Sequence, residues 1–225
     1  MLIGHKMEFK ECLLSRRSVR MFTDELVSEE TVREIINAGI YAPSACNFAA
    51  WKYIFITRDT PNREAIQNRI ALRAPYGILV TYRNNMYVTG RKHGDYIQSA
   101  AASVQNMLLY INSIGLGGCW ICDIPKDKVL RKAFGIPKSF DVICYVAFGH
   151  PVKGTGSTSY QMNYHYGDEK SFRERKRRYT IEQVLCKDRF KVVENDVTFA
   201  KYLSKWQLFK NNVGGYLRKL RLYQG

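Results

Sequence analysis

The sequence predicts an α+β fold rather than a doubly wound parallel sheet. Helix-like and strand-like segments are mixed along the 225 residues, without the regular βαβ alternation that a doubly wound sheet requires. The continuous apolar run VICYVAFG, residues 142–149, is typical of a buried central strand. The chain length suits one domain, or one domain with an appendage, and allows a sizeable core.

In the N-terminal half, residues 7–14 predict a short helix. Ser28 is a good N-cap for a second helix, and Glu29 and Glu30 follow in the first turn, where acidic side chains suit the helix dipole. Apolar residues then recur at helical spacing until Pro43 ends this helix. The next predicted elements are a strand at 51–57, a helix at 62–72 and a strand at 78–82.

In the second half, residues 95–114 predict a long helix because apolar side chains cover one broad side of it, and Gly115 is a good C-cap. The run LGGCWICDI, residues 116–124, predicts a strand with a glycine-rich entry. Pro125 opens another predicted helix, which continues through Phe134. After Pro151 the sequence becomes polar and then basic.

The charge is uneven along the chain. The net charge is +15, and the residues after His150 hold 16 Lys and Arg against 7 Asp and Glu. Such an excess can attract phosphates, acidic lipids or nucleic acids, or it can form a solvated face, and composition leaves both readings open. Neither an apolar leader nor a membrane-spanning apolar stretch is visible, so we predict a cytoplasmic protein.

The six cysteines are expected to be free thiols. Cys119 and Cys122 have CxxC spacing, which occurs in redox motifs and in zinc sites. A redox pair prefers a helix N-terminus, and zinc needs a second ligand pair, so we predict two packed strand residues and no metal site. The GLGGC segment lacks the strand-before, helix-after context of a dinucleotide fingerprint.

Four segments, in order, resemble elements of the FMN-dependent nitroreductase family. They are SRRSVRMF (15–22), APSACNFAAW (42–51), SIGLGGCWI (113–121) and IPKSFDVICYVAFGHP (136–151). The resemblance implies a nitroreductase-like fold with a mixed, mainly antiparallel sheet and a homodimer with flavin at the subunit interface. It implies that residues 1–153 form the flavin-binding core. Residues 154–225 would be a basic extension that completes the phosphate site and wraps the partner subunit.

Planar arginine side chains bind phosphate bidentately, and the basic turn supplies three of them with one hydroxyl. The resemblance assigns Arg16, Ser18 and Arg20 to the phosphate and ribityl side of the flavin, and Arg17 to it through its backbone or the ring edge. A second basic pair late in the chain reaches the phosphate in this family. We place that pair at Arg175 and Arg177.

Small residues let a flat ring approach the backbone closely, and an Asn amide can bind the amide-like edge of a flavin. The resemblance places Pro43, Ser44, Ala45 and Asn47 against the ring of the partner subunit's flavin. The backbone of Cys122 and Asp123 would face flavin N5. Cys46, Ala49 and Ala50 depart from the family's Gly and Gln-Pro, so substrate preference does not carry over.

The resemblance implies an FMN-dependent NAD(P)H oxidoreductase with ping-pong kinetics, which reduces nitroaromatics, quinones or similar acceptors. No catalytic side chain is required, because the flavin does the difficult chemistry. One alternative is a specialised flavoenzyme of this fold, such as a dehydrogenase or a dehalogenase-like enzyme. Another is that the basic tail, residues 199–223, binds membrane or nucleic acid. The dimer wrap is favoured, so neither partner is expected.

Overall fold

The computed structural model describes residues 7–84 and 94–152. The helices in this part are α1 (Phe9–Ser15), α2 (Glu29–Ile40), α3 (Arg69–Arg73), α4 (Asp95–Ser113) and α5 (Asp127–Phe134). The strands are β1 (Trp51–Thr57), β2 (Tyr76–Arg83), β3 (Gly117–Ile121) and β4 (Phe140–Gly149). Short 3-10 turns at Ala45–Asn47 and Arg63–Ile66 complete the described elements.

The four strands form one sheet in the order β1-β2-β4-β3, and all three neighbouring pairs are antiparallel. A single parallel bridge joins Ser18 to Gly118 along the outer edge of β3. The predicted α+β class with a mainly antiparallel sheet is therefore confirmed. The strands β1 and β3 form opposite edges of the described sheet, which decides where the candidate site residues lie.

One face of the sheet carries α2 and α4. Val32, Ile35, Met107 and Ile111 pack there against residues of the two central strands. Gly39 of α2 lets the helices approach closely, since a β-carbon at this position would lie 2.3 Å from Cε of Met107. Each large apolar side chain buried in this way contributes about 1.5–3 kcal/mol.

The other face carries α3, α5 and the 3-10 turn before α3. Ile66, Ala71 and Leu130 pack there against β-strand residues such as Leu79 and Tyr145. Both faces of β4 are therefore buried, which explains the continuous apolar run of residues 142–149. Helices on both faces produce such a run in an antiparallel strand, just as they do in a parallel sheet.

Several predicted boundaries differ from the structure. The predicted helix at 62–72 is a 3-10 turn followed by α3, because Asn68 has extended backbone and caps a new helix with its side chain. The helix predicted from Pro125 begins at Asp127. The strand predicted for residues 116–124 covers only Gly117–Ile121.

The predicted boundary after residue 153 stays a prediction. The described residues all lie in the first of the two units into which the chain divides, Met1–Ser159. The proposed extension 154–225 lies outside the described residues. In the described part, no helix is long and apolar enough to cross a bilayer.

Candidate active site

The basic segment Arg16–Arg20 lies along the edge of β3 that does not pair with β4. The N–H of Val19 donates to the carbonyl of Gly118 at 2.9 Å, next to the parallel bridge of Ser18. Gly117 makes this contact possible, since a β-carbon there would lie 2.6 Å from Cγ1 of Val19. The glycine-rich entry to β3 is thus the surface on which the basic segment rests.

The cationic side chains of this segment are half-buried. Arg17 donates to the carbonyl of Leu14 at 2.8 Å, at the end of α1, and Arg20 donates to the carbonyl of Ser18 at 3.0 Å. Burial raises the pKa of the Cys119 thiol in β3, while the charges of Arg20 and Arg16 oppose that rise. The positive field of these two arginines therefore extends over the β3 edge.

The backbone turns sharply where β3 ends. The N–H of Ile124 donates to the carbonyl of Cys122 at 3.0 Å, which closes a γ-turn around Asp123. The carbonyl of Asp123 accepts a hydrogen bond from the side-chain amide of Asn68 at 2.9 Å. Cys122 and Asp123 are both exposed, so this turn forms part of the surface at the β3 edge.

The predicted ring-contacting loop lies before β1. Its backbone is unusual, because Cys46, Asn47 and Ala49 have φ values of 50°, 56° and 45°, in the left-handed region that is costly for residues other than glycine. Ser44 Oγ accepts from the N–H of Ala49 at 2.9 Å and so closes the loop.

Ser99 of α4 attaches this loop to the core. Its hydroxyl accepts from the N–H of Ala45 at 3.0 Å and donates to the carbonyl of Asp95 at 2.8 Å. Ser99 is only 4% exposed. Pro43 and Asn47 remain exposed, and Ser44 and Ala45 are half-buried, so the loop presents a surface that small side chains leave open.

The two groups of predicted site residues lie apart within one chain. Arg16–Arg20 and Cys122–Asp123 lie at the β3 edge, and Pro43–Asn47 precedes β1 at the opposite edge. Three strand spacings separate these edges, about 14 Å. Along α4, Ser99 at the loop and Ile111 beside Gly118 are separated by about 18 Å. Arg175 and Arg177 lie outside the described residues.

A family model described as the nitroreductase family matches residues 13–78 and 55–150, which together span more than half of the chain. The chain belongs to the nitroreductase family. This match confirms the family predicted from the four sequence segments. It also confirms the prediction that the protein is an oxidoreductase.

Relatives and solved structures agree with this assignment. A Methanothermobacter thermautotrophicus protein with the provisional name NADH dehydrogenase/NAD(P)H nitroreductase is 29% identical over 161 residues, 68% of this chain and 82% of that protein. A Bacillus subtilis FMN reductase (NADPH) is 25% identical over 169 residues, 65% of this chain and 67% of that protein. A provisionally named Desulfovibrio desulfuricans nitroreductase in complex with FMN has a TM-score of 0.62 and 27% identity, covering 81% of this chain and 98% of that chain.

Two residues that bond the segments of the candidate site were missed at the sequence level. Asn68 falls inside the helix predicted for residues 62–72, so its capping role was hidden, although Asn is a preferred N-cap. Ser99 falls inside the long helix predicted for residues 95–114, where a small polar residue carries no distinct signal.

The thiols of this part of the chain are free, as predicted. Cys119 is buried in β3, as predicted, but Cys122 is exposed and lies in the turn after Ile121, so the prediction of two packed strand residues was wrong for Cys122. Neither cysteine lies at a helix N-terminus, where a CxxC redox pair is expected. Among residues 7–84 and 94–152, no group of three or more His, Cys, Asp or Glu side chains lies close enough together to hold a metal ion.

Proposed function

We propose that this chain is an FMN-dependent NAD(P)H oxidoreductase with ping-pong kinetics, which reduces nitroaromatics, quinones or similar electron-poor acceptors. The proposal is supported by the names of relatives, which include an NADPH-flavin oxidoreductase of Vibrio harveyi and an NADH dehydrogenase of Thermus thermophilus. When bound, FMN supplies the hydride chemistry at its N5 atom.

The observation that carries the proposal is the arrangement along the edge of β3. The basic segment contacts Gly118, and the exposed turn at Cys122 and Asp123 follows four residues further along, about 13 Å away. A ligand with an anionic phosphate at one end and a flat, hydrogen-bonding ring at the other matches this order of charge and backbone donors.

Each residue of this edge then has a defined task. Arg16 and Arg20 would hold the phosphate by charge-assisted hydrogen bonds, which are the stronger kind, and the hydroxyl of Ser18 would add another. Arg17 supports the segment through its bond to Leu14. The N–H of Asp123, an exposed residue, would donate to the ring at N5 and would stabilise charge that develops there. No side chain has to transfer a proton.

A second copy of the chain would complete the site. The loop at Pro43–Asn47 cannot contact a ring at the β3 edge of its own chain, because the opposite edges of the sheet are about 14 Å apart. Exposed apolar residues flank this loop in the sequence, including Ile40, Tyr41 at 80% exposure and Phe48. A homodimer that places the loop on the partner's flavin buries them. The contribution of Arg175 and Arg177 stays a prediction.

The side chains next to the predicted ring-contacting loop indicate which acceptors the site would prefer. Ala49 and Ala50 replace a polar side chain and a proline of the family pattern, so this side of the pocket would be wider and more apolar than the pattern implies. We expect acceptors with an extended apolar ring to be preferred. The cytoplasmic location likewise stays a prediction.

The test compares FMN with riboflavin, which lacks the phosphate. Purified protein should bind FMN more tightly than riboflavin in a fluorescence-quenching titration, and R16Q and R20Q should each reduce this preference by about tenfold to a hundredfold, the loss of one charge-assisted contact. R73Q, which changes an exposed arginine of α3, is the control. A protein that stays colourless after incubation with FMN would refute the proposal.

The electron donor and acceptor are then tested with the loaded protein. Initial rates with NADH and with NADPH, measured against a series of quinones and nitro compounds, should give parallel double-reciprocal lines, as a ping-pong scheme requires. Intersecting lines would contradict the ping-pong scheme while leaving FMN binding intact.

A further inference from the structure

Asn68, the residue before α3, is hydrogen-bonded to the turn that follows β3. Its side-chain amide donates to the carbonyl of Asp123 at 2.9 Å, while its side-chain oxygen accepts from the N–H groups of Ile70 at 3.0 Å and Ala71 at 3.2 Å. The residue is only 9% exposed. One side chain therefore caps α3 and at the same time holds the turn that follows β3.

The hydrogen bonds of this turn determine where the N–H of Asp123 points. The carbonyl of Cys122 is directed inward, toward the N–H of Ile124, and no described peptide bond is cis. In a trans peptide the C=O and the following N–H point in opposite directions. The N–H of Asp123 is therefore directed away from the turn, where it has no acceptor among the described residues.

We propose that Asn68 is a positioning residue of the flavin site: by holding the carbonyl of Asp123 it aims the N–H of Asp123 at flavin N5. This inference rests on the proposed function. Two fixed carbonyls, those of Cys122 and Asp123, leave the intervening N–H little freedom to rotate. A donor that is already oriented stabilises developing charge without reorganisation.

Only an amide side chain can do both tasks at this position. The cap on α3 needs an acceptor, and the carbonyl of Asp123 needs a donor. An Asp or a Ser keeps the capping oxygen. A carboxylate cannot donate to the carbonyl of Asp123, and the hydroxyl oxygen of serine lies one bond closer to the backbone than the amide nitrogen of Asn. Substitutions can therefore remove the hold on Asp123 and keep the helix cap.

The experiment uses N68D and N68S in the full chain loaded with FMN, with N62D as the matched control. Asn62 makes the same kind of bond on the same face of the sheet, from its side-chain amide to the carbonyl of Ala133 at 3.1 Å. It does not contact Cys122 or Asp123. Three quantities are measured: the dissociation constant of FMN, the rate constant of flavin reduction by NAD(P)H in stopped flow, and the exchange rate of the Asp123 amide proton by NMR.

In N68D and N68S, we expect flavin reduction to slow by about tenfold or more, below the 10²–10³ that removal of a whole oxyanion donor costs. The Asp123 amide should exchange about tenfold faster as its bond to N5 loosens, whereas the dissociation constant of FMN changes little. N62D should match the wild type in all three. Reduction and exchange rates in both Asn68 variants that equal those of N62D would overturn the proposal.

A measurement on the wild-type protein keeps the inference testable if the variants fail to fold. The side-chain NH₂ protons of Asn68 should exchange much more slowly than those of Asn62, both with and without FMN. Equal exchange of the two side chains would overturn the hold on Asp123. A wild-type protein that takes up no FMN at all would instead refute the proposed function, so the two failures are distinguishable.

Discussion

Replacement of Gly117 by alanine should separate the basic segment from β3. A β-carbon at Gly117 would lie 2.6, 2.7 and 2.8 Å from three atoms of the Val19 side chain, distances that real β-carbons do not adopt. Because the contact includes Cβ of Val19, no change of rotamer relieves it. The strand β3 is hydrogen-bonded to β4, so the segment around Val19 has to move instead.

The cost of this movement has two parts. Overpacking of a well-packed contact costs about 1–3 kcal/mol. The hydrogen bond from Val19 to the carbonyl of Gly118 is then stretched or lost, which costs a further 0.5–1.5 kcal/mol or so. We therefore expect G117A to lower the free energy of unfolding by about 1.5–4.5 kcal/mol. FMN should bind about tenfold or more weakly, because Arg16 and Arg20 move with the segment.

The neighbouring glycine provides the control. A β-carbon at Gly118 would meet Cδ2 of Leu108 at 2.9 Å and Cγ2 of Ile111 at 3.2 Å. The first of these is the end of a flexible side chain in α4, and neither belongs to the basic segment. We expect G118A to cost about 1 kcal/mol and to leave the affinity for FMN unchanged.

The assay is urea unfolding of the apo-protein followed by titration with FMN. A G117A protein that is as stable as G118A and binds FMN equally well would refute the reasoning. That result would mean that the contact between Val19 and β3 neither stabilises the fold nor places the phosphate-binding arginines.

Three further predictions concern the loop before β1, residues 43–49, and the core. A49G should raise the free energy of unfolding by about 0.5–1 kcal/mol, because the strain of alanine at a φ of 45° exceeds the extra conformational entropy that glycine loses on folding. A lower urea midpoint would contradict this. S99A should destabilise the protein by about 1–3 kcal/mol and weaken dimerisation in sedimentation experiments, since the N–H of Ala45 loses its acceptor. Burial raises the pKa of Tyr145 to about 12 from 10.0, so this phenol stabilises the fold fully below pH 10. That contribution, about 3 kcal/mol, is lost as the pH rises to 12, and the free energy of unfolding of Y145F should fall less steeply with pH over this range.

Local sequence patterns predicted most of the elements correctly. The strand Trp51–Thr57, the N-cap at Ser28 and the long helix from Asp95 follow from alternation, capping chemistry and helical periodicity, which act within a few residues. The helix predicted at 62–72 was wrong because Asn68 interrupts it. The side chain of Asn68 bonds both the helix that follows and the distant carbonyl of Asp123, and no pattern near residue 68 indicates that second bond.

For the candidate site, too, the sequence predicted the residue types but not their arrangement in space. The residue types for a flavin site were identified from four short segments, because phosphate and ring recognition need particular side chains at particular spacings. Their spatial grouping could not be read in this way. Only the strand order β1-β2-β4-β3 places the basic segment and the loop of Pro43–Asn47 at opposite edges, because strand order depends on long-range pairing.

By itself, then, the sequence determined the α+β class, the nitroreductase family and the chemical character of the segments now found at the two sheet edges. The tertiary structure alone decided that Gly117 accommodates Val19, that Ser99 bonds the loop before β1 and that Asn68 bonds the turn at Asp123. The physical reason is range. Propensity and periodicity act between neighbours in the chain, whereas each of these three contacts joins residues that are 54 or more positions apart.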